Sequence, residues 1–345
     1  MTYDHRNRTV TRSAWWSDHT ALAQLVRRWA VFALLLGLIA VFAAEEPAFL
    51  TLPNVMSVLQ AVSVVAIIGV GVTVSIAVGG FDLSVGAIAA SSVMAASYAM
   101  VVWHFSAAET VLLVLALGLA VGLVNATLIV RFNVPDLLAT LAVNFLLTGL
   151  QLIPTAGRSI ATGLILPNGT SANGVFDPAF LSLGRTRLFD VVPLPVLIML
   201  TVAVTAGIFT ERTRFGRLIF AVGGNELAAR LAGARTGRLK VLAYSLSASL
   251  AALGGVIVAA RVGRGDVSSG ASLLLDAVAA SLIGYAVLNA RRPNVLGTIV
   301  GAIFVGILLN GLTMLNVPYY TQDFVKGVVL VGALALTYGS ARRRH

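Results

Sequence analysis

The sequence has no cysteine, only four histidines, and charged side chains at just 11% of its 345 positions. Without cysteine the chain can form no disulfide framework, thiolate nucleophile or cysteine-ligated metal site. The histidines, at positions 5, 19, 104 and 345, are too scattered along the chain to suggest a metal cluster. Thiol enzymes and disulfide-stabilised secreted domains are therefore excluded.

Several catalytic and nucleotide-binding motifs are missing as well. There is no G-x-x-x-x-G-K-[ST] loop, so the chain cannot hold ATP phosphates in the familiar way, and there is no H-E-x-x-H, paired catalytic carboxylates or Ser/His/Asp arrangement. The net charge of +10 is not organised as a basic stripe interleaved with aromatics, which disfavours a nucleic-acid partner. A membrane-embedded enzyme or scaffold is disfavoured but stays open.

What the sequence has in abundance is apolar residues, 58% of the chain. A bilayer can solvate that much apolar surface, and a spanning helix needs about 20 mostly apolar residues. The sequence therefore predicts an all-α, polytopic integral membrane protein that is surrounded by lipid. About ten spans are predicted, at residues 29–44, 55–78, 85–103, 110–130, 135–153, 191–209, 241–260, 273–289, 296–315 and 320–339.

The basic residues predict the orientation of these spans. With a cytoplasmic N-terminus, eighteen of the 24 basic residues fall in inside segments, five fall outside, and Lys326 lies within the last span. Both termini are then cytoplasmic, with an N-terminal segment at 1–28, a transmembrane domain at 29–340 and a basic tail at 341–345. A cleaved signal peptide ending at Ala43-Ala44 is the alternative, but it would invert this charge pattern.

Two connecting loops are long. Residues 154–190 are rich in Gly, Pro, Asn and Ser and are predicted to lie outside as a periplasmic cap. Residues 210–240 are predicted to lie inside and contain NELAARLAG, in which Glu226 and Arg230 have helical i,i+4 spacing. This pattern predicts a short amphipathic cytoplasmic helix.

The stretch GGFDLSVGAIAAS places Asp82 and Ser84 inside apolar sequence. One interpretation is that Asp82 or Ser84 caps the third helix while the glycines allow a tight reversal or broken helix. The other is direct contact with a transported substrate, since ionisable residues and broken helices at membrane depth often mark substrate sites.

GGFDLSVGAIAA resembles a segment of the ribose-type sugar permeases of bacterial ABC importers. The resemblance continues through NVPDLLATLAVN, TRFGRLIFAVGGNELAARLAG, DAVAASLIG and LGTIVGAIFVGILLNGLTMLNVPYYTQDFVKGVVLV, and covers roughly residues 50–335. It implies a permease that pairs with a second permease subunit, receives sugar from a periplasmic binding protein and is driven by a separate cytoplasmic ATPase, which holds ATP and Mg. The chain itself is then neither an enzyme nor a cofactor binder, and it lies in the bacterial inner membrane.

The resemblance also assigns residues 213–233 as the coupling segment that contacts the ATPase. The residues implied at that contact are Gly223, Gly224, Asn225, Glu226, Ala229, Arg230 and Gly233. A short amphipathic helix in a partner's groove is a common recognition mode, and a helix lying on the lipid surface without a partner is the alternative. The family's glycine-rich stretch is depleted here at residues 284–294, so a homodimer and a heterodimer both remain open.

Sugar recognition in a dry pathway needs hydrogen-bonding side chains. The candidates on the translocation path are Gln60, Asp82, Ser84, Asn125, Asn144, Gln151, Asp276, Asn310 and Asp323. Any of them could instead be an interhelical hydrogen bond that holds the bundle together, and Lys326 could snorkel or pair with Asp323 one turn away.

The sequence therefore predicts the transmembrane subunit of an ATP-driven importer for a monosaccharide, without indicating which sugar. An ion-coupled secondary transporter of a small polar solute, with Asp82, Asp276 or Asp323 as the coupling carboxylate, is the alternative.

Overall fold

The computed structural model describes residues 32–287 and 292–338, most of them in helices. The predicted segment 1–28, the tail 341–345 and residues 288–291 of the glycine-depleted stretch lie outside the described residues. The helices are α1 (Phe32–Glu45), α2 (Leu52–Ala77), α3 (Val85–Val101), α4 (Ala107–Val130), α5 (Asp136–Leu150), α6 (Pro178–Arg185), α7 (Leu194–Arg212), α8 (Arg214–Gly224), α9 (Glu226–Leu231), α10 (Thr236–Val262), α11 (Gly270–Val287), α12 (Val295–Met314) and α13 (Tyr319–Tyr338).

Within the described part, six helices are long and apolar enough to cross a membrane: α2, α4, α5 with its following turn, α7, α10 and α12. Shorter apolar helices lie at Phe32–Glu45, Val85–Val101 and Ser272–Tyr285. A polytopic all-α membrane protein is therefore confirmed, and each of the ten predicted spans overlaps one helix.

Helix α10 lies at the centre of the bundle. It packs on α2, α3 and α4 within the bundle and on α6 outside it, while α11 and α12 pack on each other and on α2. Its central residues are small, and Ala248, Ala251 and Ala252 are fully buried. Small residues let helix backbones approach closely, which is how helices associate in lipid without a hydrophobic driving force.

The helix ends follow local sequence signals. Ser106 and Glu109 form a capping box that starts α4, and Asn294 caps α12 by accepting a hydrogen bond from the Gly297 amide at 2.5 Å. Helix α10 begins at Thr236, five residues before the predicted apolar span, because its charged first turns are helical without being apolar.

The two long loops are both folded. Within residues 154–190, β1 (Leu164–Ile165) pairs with β2 (Ser171–Ala172), and α6 follows; β3 (Arg187–Leu188) then pairs with β4 (Val192–Pro193). Helix α6 packs on the end of α10. Residues 210–240 hold two helices, α8 and α9, rather than the single one predicted.

Glycine is still used where α11 meets α12, at the edge of the glycine-depleted stretch. Gly284 and Gly297 pack backbone to backbone, so that a Cβ on Gly297 would lie 2.8 Å from the Asn294 Oδ1 atom and closer still to Gly284. The described end of that stretch therefore keeps the glycine that the helix contact requires.

Candidate functional site

The apolar helix α2 ends in a sharp reversal. Gly79 has a φ of 87°, the left-handed conformation that favours glycine, and its amide donates to Ile76 O at 3.0 Å. The Gly80 amide donates to Ser75 O at 3.0 Å. The tight reversal predicted for these glycines is confirmed, and residues 79–84 are called the reversal segment below.

Asp82 lies in this reversal segment and is completely buried. Its Oδ1 accepts hydrogen bonds from the Ser84 amide at 3.0 Å and the Ser84 hydroxyl at 2.6 Å, and its Oδ2 accepts one from the Ser247 hydroxyl of α10 at 2.8 Å. Asn125 of α4 donates its Nδ2 to Ser84 Oγ at 2.8 Å. The carboxylate therefore ties the reversal segment to the central helix through neutral donors.

Capping of the third helix by Ser84 was one of the two capping predictions, and it is wrong. Ser84 occupies the N-cap position of α3, but its side chain makes no capping hydrogen bond. Asp82 accepts from the amide of Ser84, two residues on at the start of the helix, as the prediction of an Asp82 cap requires. The sequence analysis did not foresee the bond to Ser247, which lies 165 positions away along the chain.

The start of α5 holds the other side of the reversal segment. Asp136 Oδ2 accepts from the Phe81 amide at 2.6 Å, and Thr140 Oγ1 accepts from the Leu83 amide at 3.1 Å. Asp136 and Thr140 were not among the predicted site residues. The available signal was an acid directly after Pro135 in an otherwise apolar run.

Some of the remaining candidates join other helices. Gln60 donates to the Gly184 carbonyl at 2.8 Å, linking α2 to α6. Asn310 and Asn54 exchange two hydrogen bonds of 3.1 Å between α12 and α2. These bonds stabilise the bundle, whereas the predicted candidates Asp82, Ser84 and Asn125 meet in one network.

Gln151 lines a cavity of about 300 Å³ between α3, α4 and α5, at the end of the bundle covered by residues 154–190. Tyr98 and Trp103 also line it, with ring centroids 5.2 Å apart. The Gln151 Oε1 atom is buried and has no hydrogen-bond partner in the described part of the chain. Asn144 lies half-buried one helical turn from Thr148, whose hydroxyl donates to the Asn144 carbonyl.

The predicted candidates Asp276 and Asp323 form a separate ionic cluster with Lys326. The Lys326 Nζ atom lies 2.7 Å from Asp276 Oδ1 of α11 and 2.8 Å from Asp323 Oδ1 on its own helix, α13. The predicted pair one turn apart is therefore present, and the contact with α11 is additional. These three side chains line a cavity of about 170 Å³.

The predicted coupling segment forms a compact pair of helices. Asn225 caps α9 by accepting from the Ala228 amide at 2.9 Å, and Glu226 pairs with Lys240 of α10 at 2.7 Å rather than with Arg230. Ala229 is buried in a cluster that includes the last turn of α2. Leu227 and Leu231 are 68% and 81% exposed, so α9 presents an uncovered apolar surface next to the exposed Arg230.

Gly223, in the last turn of α8, packs directly on the reversal segment. A Cβ built on Gly79 would lie 3.0 Å from the Gly223 Cα atom. A Cβ on Gly223 would meet the Ala77 carbonyl at the end of α2 most closely and would lie 2.9 Å from the Gly79 nitrogen. Gly224 and Gly233 have open space around them, and Gly233 has a φ of 87°. Of the three glycines implied at the ATPase contact, Gly223 is therefore the one whose Cβ direction is blocked by other residues, although the residue itself is exposed.

The helices define a multi-pass α-helical membrane protein. The described residues contain no group of three or more His, Asp or Glu side chains that could hold a metal ion. Residues 54–334 match the profile of a family described as the permease component of the branched-chain amino acid transport system, and the chain belongs to that family.

Relatives of the chain are sugar permeases. The ribose import permease protein RbsC of Escherichia coli (strain K12) is 37% identical over 313 residues, which cover 90% of this chain and 94% of the relative. The chain is 34% identical to RbsC of Bacillus subtilis (strain 168), over 87% of this chain and 89% of the relative. It is 31% identical to the galactose/methyl galactoside import permease protein MglC of E. coli (strain K12), over 89% and 92%. No solved structure matches the chain.

Proposed function

We propose that this chain is the transmembrane subunit of an ATP-driven ABC importer that carries a monosaccharide across the bacterial inner membrane. The observation that carries the proposal is the match to a ribose import permease over 90% of this chain and 94% of the relative. Matches to a galactose permease and a xylose permease have similar coverage of this chain, 89% and 88%. The proposed cargo is therefore ribose or a related neutral sugar.

The proposed topology has ten spans with both termini in the cytoplasm. The charge distribution supports it, because Arg212, Arg214 and Lys240 lie at the same end of the bundle, at the junctions of α7, α8 and α10. Arg185 and Arg261 lie together at the other end, where Arg185 Nε donates to the Arg261 carbonyl at 3.1 Å. Residues 154–190 then face the periplasm, where the sugar-binding protein delivers its cargo.

The proposed contact with the ATPase is the exposed surface of α9 with the adjoining end of α8. Its uncovered Leu227 and Leu231 offer apolar anchors, and Arg230 offers a charge beside them. An amphipathic helix seated in a partner's groove presents this combination. ATP and Mg are held by that partner, and a second permease subunit completes the membrane part.

The proposed route of coupling runs from α8 to the reversal segment. Gly223 packs against Gly79 of the reversal segment, and the reversal segment also contains Asp82, which is bonded to Ser247 of α10. A movement of the coupling segment is then transmitted to backbone that is fixed to α4, α5 and α10. Nucleotide can shift the equilibrium between inward and outward states only through different affinities for the two, so the ATPase must prefer one of them.

The alternative function is an ion-coupled secondary transporter, and the observation in its favour is the buried carboxylate of Asp276. A carboxylate at membrane depth is a functional hypothesis by default. Here its charge is matched by Lys326 at 2.7 Å, as expected of a structural pair. Asp276→Asn and Asp82→Asn should each abolish uptake if ions drive transport, and uptake should continue if ATP drives it.

Affinity capture from mildly solubilised native membranes, followed by mass spectrometry, tests the main proposal. We expect an ABC-type ATPase to be recovered with the wild-type chain and to be lost with a Leu227→Asp/Arg230→Glu variant. Arg187→Glu, an exposed arginine on β3 at the other end of the bundle, is the matched control and should retain the ATPase. Failure to recover an ATPase, with uptake persisting in vesicles without ATP, would contradict the proposal.

A further inference from the structure

A polar cavity lies between the reversal segment, the α4–α5 connection and the start of α10. Its volume is about 220 Å³, and its walls include Gly79, Gly80, Asn133, Asp136, Lys240 and Tyr244. A water molecule takes up about 30 Å³ in the liquid, so the cavity has room for a solute several times larger. It is separate from the cavity that Gln151 lines.

Tyr244 lines this cavity, and its hydroxyl has no hydrogen-bond partner among the described residues, although the residue is only 1% exposed. The Phe81 amide lies nearby, but it donates to Asp136 at 2.6 Å. Buried polar atoms are nearly always paired, so an unpaired hydroxyl on a residue that lines a cavity calls for an occupant that can donate or accept.

The neighbouring side chains have hydrogen-bonding capacity to spare. Asp136 uses Oδ2 for the Phe81 amide, and its Oδ1 has no partner among residues 32–287 and 292–338. Lys240 donates one of its three N–H groups to Glu226 at 2.7 Å. The cavity thus combines a carboxylate acceptor, an ammonium donor and a hydroxyl that can do both.

The charges on the wall select against ionic solutes. An anion would meet the Asp136 carboxylate, and a cation would meet the Lys240 ammonium. A neutral solute with several hydroxyls can bond to both groups and to Tyr244 at once, since each hydroxyl donates and accepts. Buried polar groups reject a ligand that leaves them unpaired, so apolar solutes are disfavoured too.

We propose that this cavity binds a neutral monosaccharide from the cytoplasmic side and that its occupancy slows further import. This inference rests on the proposed function, which supplies both the sidedness and the sugar. The cavity touches the coupling segment at two points: Lys240 pairs with Glu226 of α9, and the Gly79 wall packs on Gly223 of α8. A sugar that binds one arrangement of these contacts more tightly opposes the change to the other.

The binding step is tested by equilibrium dialysis with the full chain and its co-purifying subunits in lipid nanodiscs, without the periplasmic binding protein. The probes are labelled D-ribose and D-galactose, with D-galacturonate as a charged analogue. We expect saturable binding of a neutral sugar that Tyr244→Phe weakens about 3- to 10-fold, the value of one hydrogen bond. Tyr320→Phe, which alters an exposed tyrosine of α13, is the control and should bind like the wild type.

Absence of saturable binding, equal binding of galacturonate, or an unchanged affinity in Tyr244→Phe would overturn the site. The inhibitory effect is tested separately in proteoliposomes that contain ATP and unlabelled D-ribose. The measured quantity is the initial rate at which labelled D-ribose is taken up. Internal sugar should slow the wild type and slow Tyr244→Phe less. If ATP-driven uptake has the same rate with and without internal sugar, the proposed inhibition is refuted but the binding site is not. If uptake needs no ATP, the proposed function is refuted, and the dialysis result alone then tests the binding site.

Discussion

Two buried carboxylates in this chain are held in opposite ways. Asp82 is 0% exposed and is surrounded by hydroxyl and amide donors from Ser84 and Ser247, with no basic side chain bonded to it in the described part of the chain. Asp276 is 6% exposed and is paired with the Lys326 ammonium at 2.7 Å. One carboxylate is solvated by neutral groups and the other is neutralised by a charge.

The difference follows from what each carboxylate connects. The donors to Asp82 are short side chains and a backbone amide, so they fix its position closely and define the path of the reversal segment. Lys326 is long and flexible, and it reaches from α13 to α11 across a cavity of about 170 Å³. The neutral network therefore sets local backbone geometry beside the coupling segment, whereas the ion pair attaches a peripheral helix.

Replacing Asp82 with Ala should have the largest effect on stability. It would leave three buried donors without an acceptor, each costing about 1–3 kcal/mol, so a loss of about 3 kcal/mol or more is expected. Thermal unfolding in nanodiscs measures this loss, and Asp82→Asn should fall between Ala and wild type because it keeps one acceptor oxygen. An Ala variant as stable as wild type would show that the hydrogen bonds to Asp82 do not contribute to stability.

Gly223→Ala should impair transport next most strongly, because it tests whether the reversal segment is linked to the coupling segment. The added methyl would clash with the Ala77 carbonyl and would lie 2.9 Å from the Gly79 nitrogen, and overpacking of this kind costs about 1–3 kcal/mol. We expect the initial rate of ATP-driven uptake to fall roughly 5- to 100-fold. Gly224 has open space around it, so Gly224→Ala is the matched control. Equal uptake rates for the two variants would show that the packing of Gly223 on Gly79 does not affect transport.

Asp276→Leu should be less costly than Asp82→Ala. It removes one partner of Lys326 but leaves Asp323 at 2.8 Å, so we expect about 1–2 kcal/mol, below the usual cost of stranding a buried charge. Adding Lys326→Met should restore most of the lost stability, since no charge then remains unpaired at α11. A double variant less stable than the single one in thermal unfolding would argue against a purely structural pair.

How far the sequence could predict these features depends on distance along the chain. Apolar runs predicted the six described helices that are long and apolar enough to cross a membrane, and one-turn spacing suggested the pair of Lys326 with Asp323. Asp82 stood out because a carboxylate is rare in such surroundings.

Ser247, the partner of Asp82, could not be picked out from the sequence, because serines are common in membrane helices and often donate to their own helix backbone. Helix α8 was missed because its short run, Arg214–Gly224, lies between charged residues. Contacts such as Asp276 with Lys326, 50 positions apart, depend on how the helices pack, and no local pattern records that.

Asp323→Asn should have the smallest effect of these variants on the free energy of unfolding. Asp323 is the exposed member of the cluster, with 70% of its side chain accessible, and exposed i,i+3 pairs contribute about 0.2–1 kcal/mol. We expect a shift in unfolding free energy of about 0.5 kcal/mol or less that disappears at high salt, because screening weakens exposed pairs. A loss as large as that of Asp276→Leu would mean that Lys326 depends on Asp323 rather than on α11, and the ion pair would then be a feature of α13 alone.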